Sequence, residues 1–271
     1  MNLASDMRAE QAAPSPADVY DQQFVPALFR QWGPVLCDAA QVRRGHRVLD
    51  VACGTGALTL ALAERVGADG AVRGLDANEQ MLAVAARKNA RIEWIHGRAE
   101  TLPFADACFD AVLSQFGLMF FEDRAAGLRE MQRVLRPSGH LAVAVCDALA
   151  RSPGYAALDA LLDRLFGPSV AGAFRAPFAL GDEQQLLTLC ARSGIQNARV
   201  LRREGTVRFA SIEALVSTER ACAWTLGGLL DDDQFEQLLR EARRVFAPFV
   251  DGGGRVAFAM PALLICAAKS H

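Results

Sequence analysis

The residues with the sharpest chemical signature are Val48-Leu49-Asp50-Val51-Ala52-Cys53-Gly54-Thr55-Gly56. An apolar run carrying one acid passes into a tight glycine turn, and the helical pattern Ala57–Val66 follows. Glycine lets the backbone adopt left-handed dihedrals and approach a ligand closely. A dinucleotide fingerprint, Gly-x-Gly-x-x-Gly, needs a third glycine where Thr59 stands. Without a pyrophosphate to cradle, the acid at Asp50 also makes better sense. A generic strand-to-helix turn is the bland alternative. Acid–base and metal chemistry are harder to find. Cys37, Cys53, Cys108, Cys146, Cys190, Cys222 and Cys266 are scattered with no Cys-x-x-Cys, so zinc-type spacing is absent and no metal is expected. His46 and His140 begin strands on the edge away from the glycine turn, His96 ends one, and His271 is the last residue. No Ser-His-Asp or Cys-His arrangement is legible.

The elements that must position this turn alternate in type. Strands are expected over His46–Val51, Ala71–Asp76, Ile92–His96, Phe109–Ser114 and His140–Cys146. Between them lie helical patterns, one N-capped by Asn78 and running through Lys88, and one from Asp123 to Leu135 that stops before Pro137. Strands separated by helices imply βαβ units, a parallel sheet and right-handed crossovers that place helices on both faces. Upstream, Tyr20–Ala40 reads as one or two short helices punctuated by Pro26, Gly33 and Pro34, and residues 1–16 as a frayed leader. Beyond Asp147 the alternation breaks. Leu158–Leu165, Glu183–Arg192, Ser211–Trp224 and Asp233–Phe246 look helical, Val200–Phe209 reads as a sixth strand, and Arg255–Ala268 as one or two more.

Composition excludes several classes. With 52 % apolar and 22 % charged residues in a chain of 271, the sequence is that of an ordinary globular protein, not a disordered or fibrous one. A formal net charge of −2 and only short basic clusters argue against nucleic acid as a partner. The longest apolar stretches, such as Pro261–Ala268, fall far short of the ~20 residues that span a membrane. Scattered cysteines suit reduced thiols and a cytoplasmic protein.

Several segments in order give a resemblance. Besides the turn after Asp50, they are Gly74-Leu75-Asp76-Ala77-Asn78, Ala99-Glu100-Thr101-Leu102-Pro103-Phe104, Phe109–Gly117 and Arg133-Val134-Leu135-Arg136-Pro137-Ser138-Gly139. Together, over roughly residues 20–147, the chain resembles the class I S-adenosylmethionine (SAM) dependent methyltransferases, closest to the small-molecule branch that includes quinone-biosynthesis C-methyltransferases. The resemblance implies a Rossmann-like, doubly wound α/β fold with a mostly parallel seven-stranded sheet and SAM as cofactor, with S-adenosylhomocysteine (SAH) as product. Ligands of open α/β sheets bind beyond the carboxyl ends of the strands, where Cys53–Gly56, Asp76, Arg98–Glu100 and Gln115–Phe116 all fall. Asp76 is placed to accept charge-assisted hydrogen bonds from both ribose hydroxyls. Asp50 would face the cationic methionine end, and by resemblance backbone groups of Ala52, Gly54 and Gln115 hold the methionine moiety. Met81 and Ala99 would flank the adenine. The rest of the implied cofactor set is Gly56, Ala77, Glu100, Ser114 and Phe116, with Tyr20 and Trp32 near the transferred methyl group; Trp32 is alternatively a packing residue. One position departs from the family, which often carries Asp before the Ala-Glu pair. Here it is Arg98, and a guanidinium has no acceptor for the adenine amino group. Either a backbone carbonyl takes that group, or Arg98 stacks on the ring or points away.

No catalytic acid or base is assigned, which suits transfer from an already activated sulfonium by alignment in a water-poor site. The acceptor is expected to be a small or medium-sized, largely apolar metabolite, with specificity in residues 148–254. Phe174, Phe178, Trp224 and Phe246 are candidates for an apolar cavity, and Glu219 and Arg220 for polar contacts. The expected organisation is leader and lid over residues 1–40 and one SAM-binding domain over 41–271, as monomer or homodimer. A non-catalytic SAM-binding regulatory module and a SAM-bound enzyme of non-methylating chemistry remain alternatives.

Overall fold

The computed structural model describes residues 15–222 and 225–270. Five strands, β1 (Arg47–Val51), β2 (Ala71–Asp76), β3 (Glu93–His96), β4 (Phe109–Gln115) and β5 (Leu135–Cys146), pair in parallel, with β3 at the exposed edge. Two more strands, β6 (Arg199–Arg203) and β9 (Ala262–Ala268), complete a seven-stranded sheet ordered β3-β2-β1-β4-β5-β9-β6, with β9 antiparallel to both neighbours. Runs such as Ala111–Leu113 and Leu141–Val145 are fully buried because helices cover both faces, as parallel strands require. The strand order reverses between β1 and β4. That switch point opens a crevice at the carboxyl ends of these two strands.

On the two sheet faces lie α3 (Ala57–Val66), α4 (Glu79–Lys88), α5 (Arg124–Val134) and α8 (Glu183–Arg192). The Asn78 side chain accepts from the amides of Gln80 and Met81, so it caps α4 as its position suggests. Asp123 does the same for α5 through Ala126. The strand expected from His140 starts earlier, because Leu135 already pairs with Phe109 and the Arg136–Gly139 turn rides on the register shift that follows.

The N-terminal segment opens with α1 (Pro16–Val19), where Ser15 forms a capping box with Asp18, so Ser15 and Pro16 belong to a helix start and not to a leader. Residues 1–14 of the expected leader lie outside the described residues. The chain then widens into a π-helical stretch, Tyr20–Phe29, before α2 (Trp32–Ala39). Pro26 has no amide to donate within this stretch, and the Arg30 amide closes it on the Val25 carbonyl at 2.8 Å, a π-type bond five residues back.

The expected strand over Val200–Phe209 is two strands. β6 stays in the main sheet, whereas β7 (Thr206–Phe209) pairs with β8 (Val256–Ala259) in a separate ribbon. The break falls at Gly205, where a Cβ would stand 2.3 Å from the Trp32 ring. Gln31 then pairs with Thr206 as a strand would: its Oε1 accepts from the Thr206 amide and its Nε2 donates to the Thr206 carbonyl. Helices α6 (Pro153–Phe166), α7 (Pro168–Arg175), α9 (Ile212–Ala221) and α10 (Asp232–Val245) fill the stretch after β5. α6 packs against α7 and α10, and α9 against α10 and the Tyr20–Phe29 segment.

Candidate active site

The crevice at the switch point is one cavity of about 360 Å³, a size suited to a small-molecule ligand. Its sheet end is built at the tips of β1, β2 and β4. Asp50 is fully buried there, one carboxylate oxygen taking the Thr59 hydroxyl at 2.6 Å. Its Oδ1 is buried with no hydrogen-bond partner among the described residues. Burial pushes the Asp50 carboxyl up to about 7. Thr59, the residue that spoils a dinucleotide fingerprint, is therefore the residue that orients Asp50. Its spacing from Asp50 on the first turns of α3 was the readable signal for that partnership.

Asp76 ends β2 and accepts from two backbone amides, Gly54 at 2.7 Å and Asn78 at 2.8 Å. These bonds pin the glycine turn to the next strand. Burial still outweighs them and raises the Asp76 pKa. Ala52 (φ +57°) and Phe116 (φ +55°) both take left-handed dihedrals just past β1 and β4. Such strain in residues with a Cβ persists only where surroundings enforce it, and it gathers at functional sites. Gly117 shows the closeness required, since a Cβ there would stand 2.6 Å from that of Ala52.

Of the residues expected to hold the cofactor, Tyr20, Asp50, Ala52, Gly54, Asp76, Ala77, Met81, Arg98, Ala99, Glu100, Gln115 and Phe116 all line this cavity. Three do not. Trp32 is 1 % exposed and meets the edge of Phe116 at 5.6 Å between centroids, so that ring stands between it and the cavity. Its packing reading is the one the structure supports. Gly56 instead starts α3 at φ +84° beneath the Trp94 ring, where a Cβ would come within 2.5 Å. Ser114 is fully buried in β4 and contacts Gly117 from below. Arg98 faces Glu122, with Nη2 to Oε2 at 2.6 Å, and Glu100 at 3.5 Å, its side chain half exposed. Glu100 meanwhile accepts the Glu122 amide. The segment Tyr20–Phe29 closes one side: Tyr20 stacks on Phe29 at 5.4 Å, and Phe29 tilts against Phe116 at 5.5 Å. Phe24, Leu28 and Phe29 line the cavity too, although sequence reasoning had singled out Tyr20 alone in that stretch.

The other end of the cavity lies under the helices that follow β5. Phe174, Phe178 and Glu219 contribute to it as expected. Phe246 does not; it is buried against Phe249 and Phe258 in the core. Arg220 pairs with Asp232 and covers the Phe235 ring at 4.4 Å, so it faces away. Trp224 lies outside the described residues. The structure adds Tyr155, Cys146, Cys222, Thr225 and Met260, none of which carried a recognisable spacing. Tyr155 packs edge-on to Phe174 at 5.7 Å and Phe178 at 5.8 Å.

A doubly wound sheet with this crevice, an acid at the tips of β1 and β2, and a glycine turn between them defines a Rossmann-like nucleoside-binding fold of the methyltransferase type. The sequence profile of the ubiE/COQ5 methyltransferase family matches residues 17–152, and the chain belongs to that family. Two curated relatives are a demethylmenaquinone methyltransferase of Bacillus licheniformis, 41 % identical over 45 % of this chain and 55 % of its own length, and a ubiquinone/menaquinone biosynthesis C-methyltransferase of Xylella fastidiosa, 42 % identical over 46 % of this chain and 52 % of its own. The chain spans about half the length of the curated relatives it matches. Among solved structures, a methyltransferase-like protein of Bacillus halodurans superposes with a TM-score of 0.60 at 20 % identity, over 88 % of this chain and 99 % of that one, and so shares the fold. SAM is the cofactor of this family, and the donor set fits it. Among the described residues, the unpartnered oxygen of Asp50 suits a cationic group and the unpartnered buried Oε1 of Gln115 suits a donor.

Proposed function

We propose that this chain transfers a methyl group from SAM to a small, largely apolar acceptor. The quinones in the relatives' names are the starting candidates. One observation carries the reading: a single cavity runs from Asp50 and Asp76 to a chamber walled by Phe174, Phe178 and Met260. Bound SAM would supply an activated methyl group on a cationic sulfur. The chain's own work is then to bind, to align and to exclude water. Asp76 is the ribose ligand, with acceptor capacity left after its two amides, and Met81 and Ala99 flank the base. Asp50 and Gln115 hold the methionine end. Arg98 points away from the base toward Glu122, so a backbone carbonyl takes the adenine amino group. Tyr20–Phe29 is the lid that keeps the reacting centre dry, and residues 148–254, with Met260, carry the acceptor contacts.

Calorimetry with SAM, SAH and NAD tests the cofactor; the expected outcome is binding of the first two and none of NAD. Mass spectrometry of a metabolite extract incubated with protein and SAM then reads the acceptor as a gain of one methylene. Absence of SAM and SAH binding would sink the proposal.

A further inference from the structure

A buried acid stands at the acceptor end with no counter-charge among the described residues. Glu219, on α9, is 1 % exposed and lines the cavity. The Tyr155 side chain, from α6, lies close enough to Glu219 to act on its carboxyl group, as does Thr225. Oε2 is buried and has no hydrogen-bond partner among the described residues. An unmatched carboxylate oxygen in an apolar wall is costly unless a ligand supplies a donor. The surroundings limit what that donor is. Phe174 and Phe178 meet Tyr155 edge-on, so the chamber is aromatic around one polar corner.

We propose that Glu219 is the proton acceptor for an aromatic or enolic hydroxyl on the acceptor molecule, with Tyr155 as the positioning residue that holds the carboxylate. This deepens the methyl-transfer reading and rests on it. In the step, the acceptor's O–H bond breaks and the proton moves to Glu219 Oε2. The bonding electron pair stays on the acceptor, as a phenolate or enolate whose oxygen or conjugated carbon is then nucleophilic enough to be alkylated. General-base help of this kind is worth roughly 10²–10⁴-fold in rate.

The titratable groups that face Glu219 are few. They are Tyr155 from α6, Cys146 at the end of β5 and Cys222 just past α9. Tyr20, from the π-helical stretch packed on α9, lies next to Cys222. Arg220 on the same helix is turned to Asp232, and no cation acts on the carboxyl among the described residues. Burial pushes Glu219 up to about 7, and the Thr225 and Tyr155 hydroxyls draw it back down. A base poised near neutrality is suited to accepting a proton from a phenol.

The test is the binding of 2-naphthol to the SAH-loaded protein, followed by fluorescence from pH 6 to pH 8, with 2-methoxynaphthalene as the ligand lacking a proton. The carboxylate form accepts the O–H. Naphthol affinity should therefore rise roughly tenfold across this range, following the ionised fraction of a group titrating near 7. The methoxy compound should show no rise. Glu219→Gln should flatten the naphthol profile, and Tyr155→Phe should keep the rise but move it to higher pH. SAH affinity, read by calorimetry on each variant, should stay within about twofold, since neither residue contacts the sheet end. A flat wild-type profile, tighter naphthol binding at pH 6, or the same rise with the methoxy compound would overturn the assignment. Loss of SAH binding with the naphthol rise intact would instead refute the methyltransferase reading and leave Glu219 as a base.

Discussion

The two ends of the cavity are built by different means. At the sheet end, recognition is mostly backbone: Ala52, Gly54 and Phe116 in left-handed dihedrals, amides of Gly54 and Asn78 locked to Asp76, and one acid oriented by Thr59. At the helical end the lining comes mainly from side chains on α6, α7 and α9, joined by Cys146, Phe178 and Met260 from outside those helices. Each end also hides a carboxyl group that burial holds near neutrality, Asp50 and Glu219. The lesson is that the same physical device, an undersatisfied buried acid, suits two kinds of ligand, a fixed cation and a hydroxyl that can give up its proton. Asp50 is proposed to meet the cation of the cofactor, and Glu219 the hydroxyl of the acceptor.

Breaking the sheet end at its backbone lock should have the largest effect. Asp76→Ala removes the acceptor of two amides and the proposed ribose ligand, and SAM affinity should fall by at least ~10²-fold, because charge-assisted bonds are worth about 1.5–3 kcal/mol each. Calorimetry reads it directly. An unchanged affinity would mean that the glycine turn holds its shape without Asp76 and that the ribose binds elsewhere.

A smaller loss, on the order of 10-fold, is expected for SAM with Asp50→Asn, and less for SAH, whose sulfur is uncharged. The pH dependence sharpens this comparison. Asp50 titrates near 7 without ligand, and a cation favours its ionised form. SAM affinity should therefore rise as the pH climbs through 7, SAH affinity should rise less, and the variant should respond to neither. Equal pH responses for SAM and SAH would remove Asp50 from the cationic sulfur.

The smallest effect should come from Arg98→Ala. Its guanidinium is spent on Glu122 and Glu100 at a half-exposed site, where ion pairs contribute little. SAM affinity should change by less than about threefold in calorimetric titrations. A tenfold loss would return Arg98 to the adenine.

Legibility followed the same division. The sheet end could be read because its parts are local: Asp50 and its turn are consecutive, Asn78 caps the helix three residues before Met81, and Asp76 closes its own strand. Where local pattern left two readings open or fell short, a distant contact decided. Of the two readings of Trp32, beside the methyl group or packing, the second fits, because Gly205 and Phe116 enclose it in the core. The strand expected to run unbroken to Phe209 splits because Gln31, far away in sequence, pairs with Thr206.

By itself, then, the sequence determined the alternation of buried strands and helices, the strand-end acids and the glycine turn, since these follow from neighbours along the chain. It determined the family through the same segments. The acceptor chamber was decided only by the tertiary structure. Tyr155, Phe174 and Glu219 sit on three helices with no fixed spacing, and only packing against the sheet places them around one cavity. Glu219 looks like any helical acid in sequence; burial beside Tyr155, which no local pattern encodes, is what makes it a base.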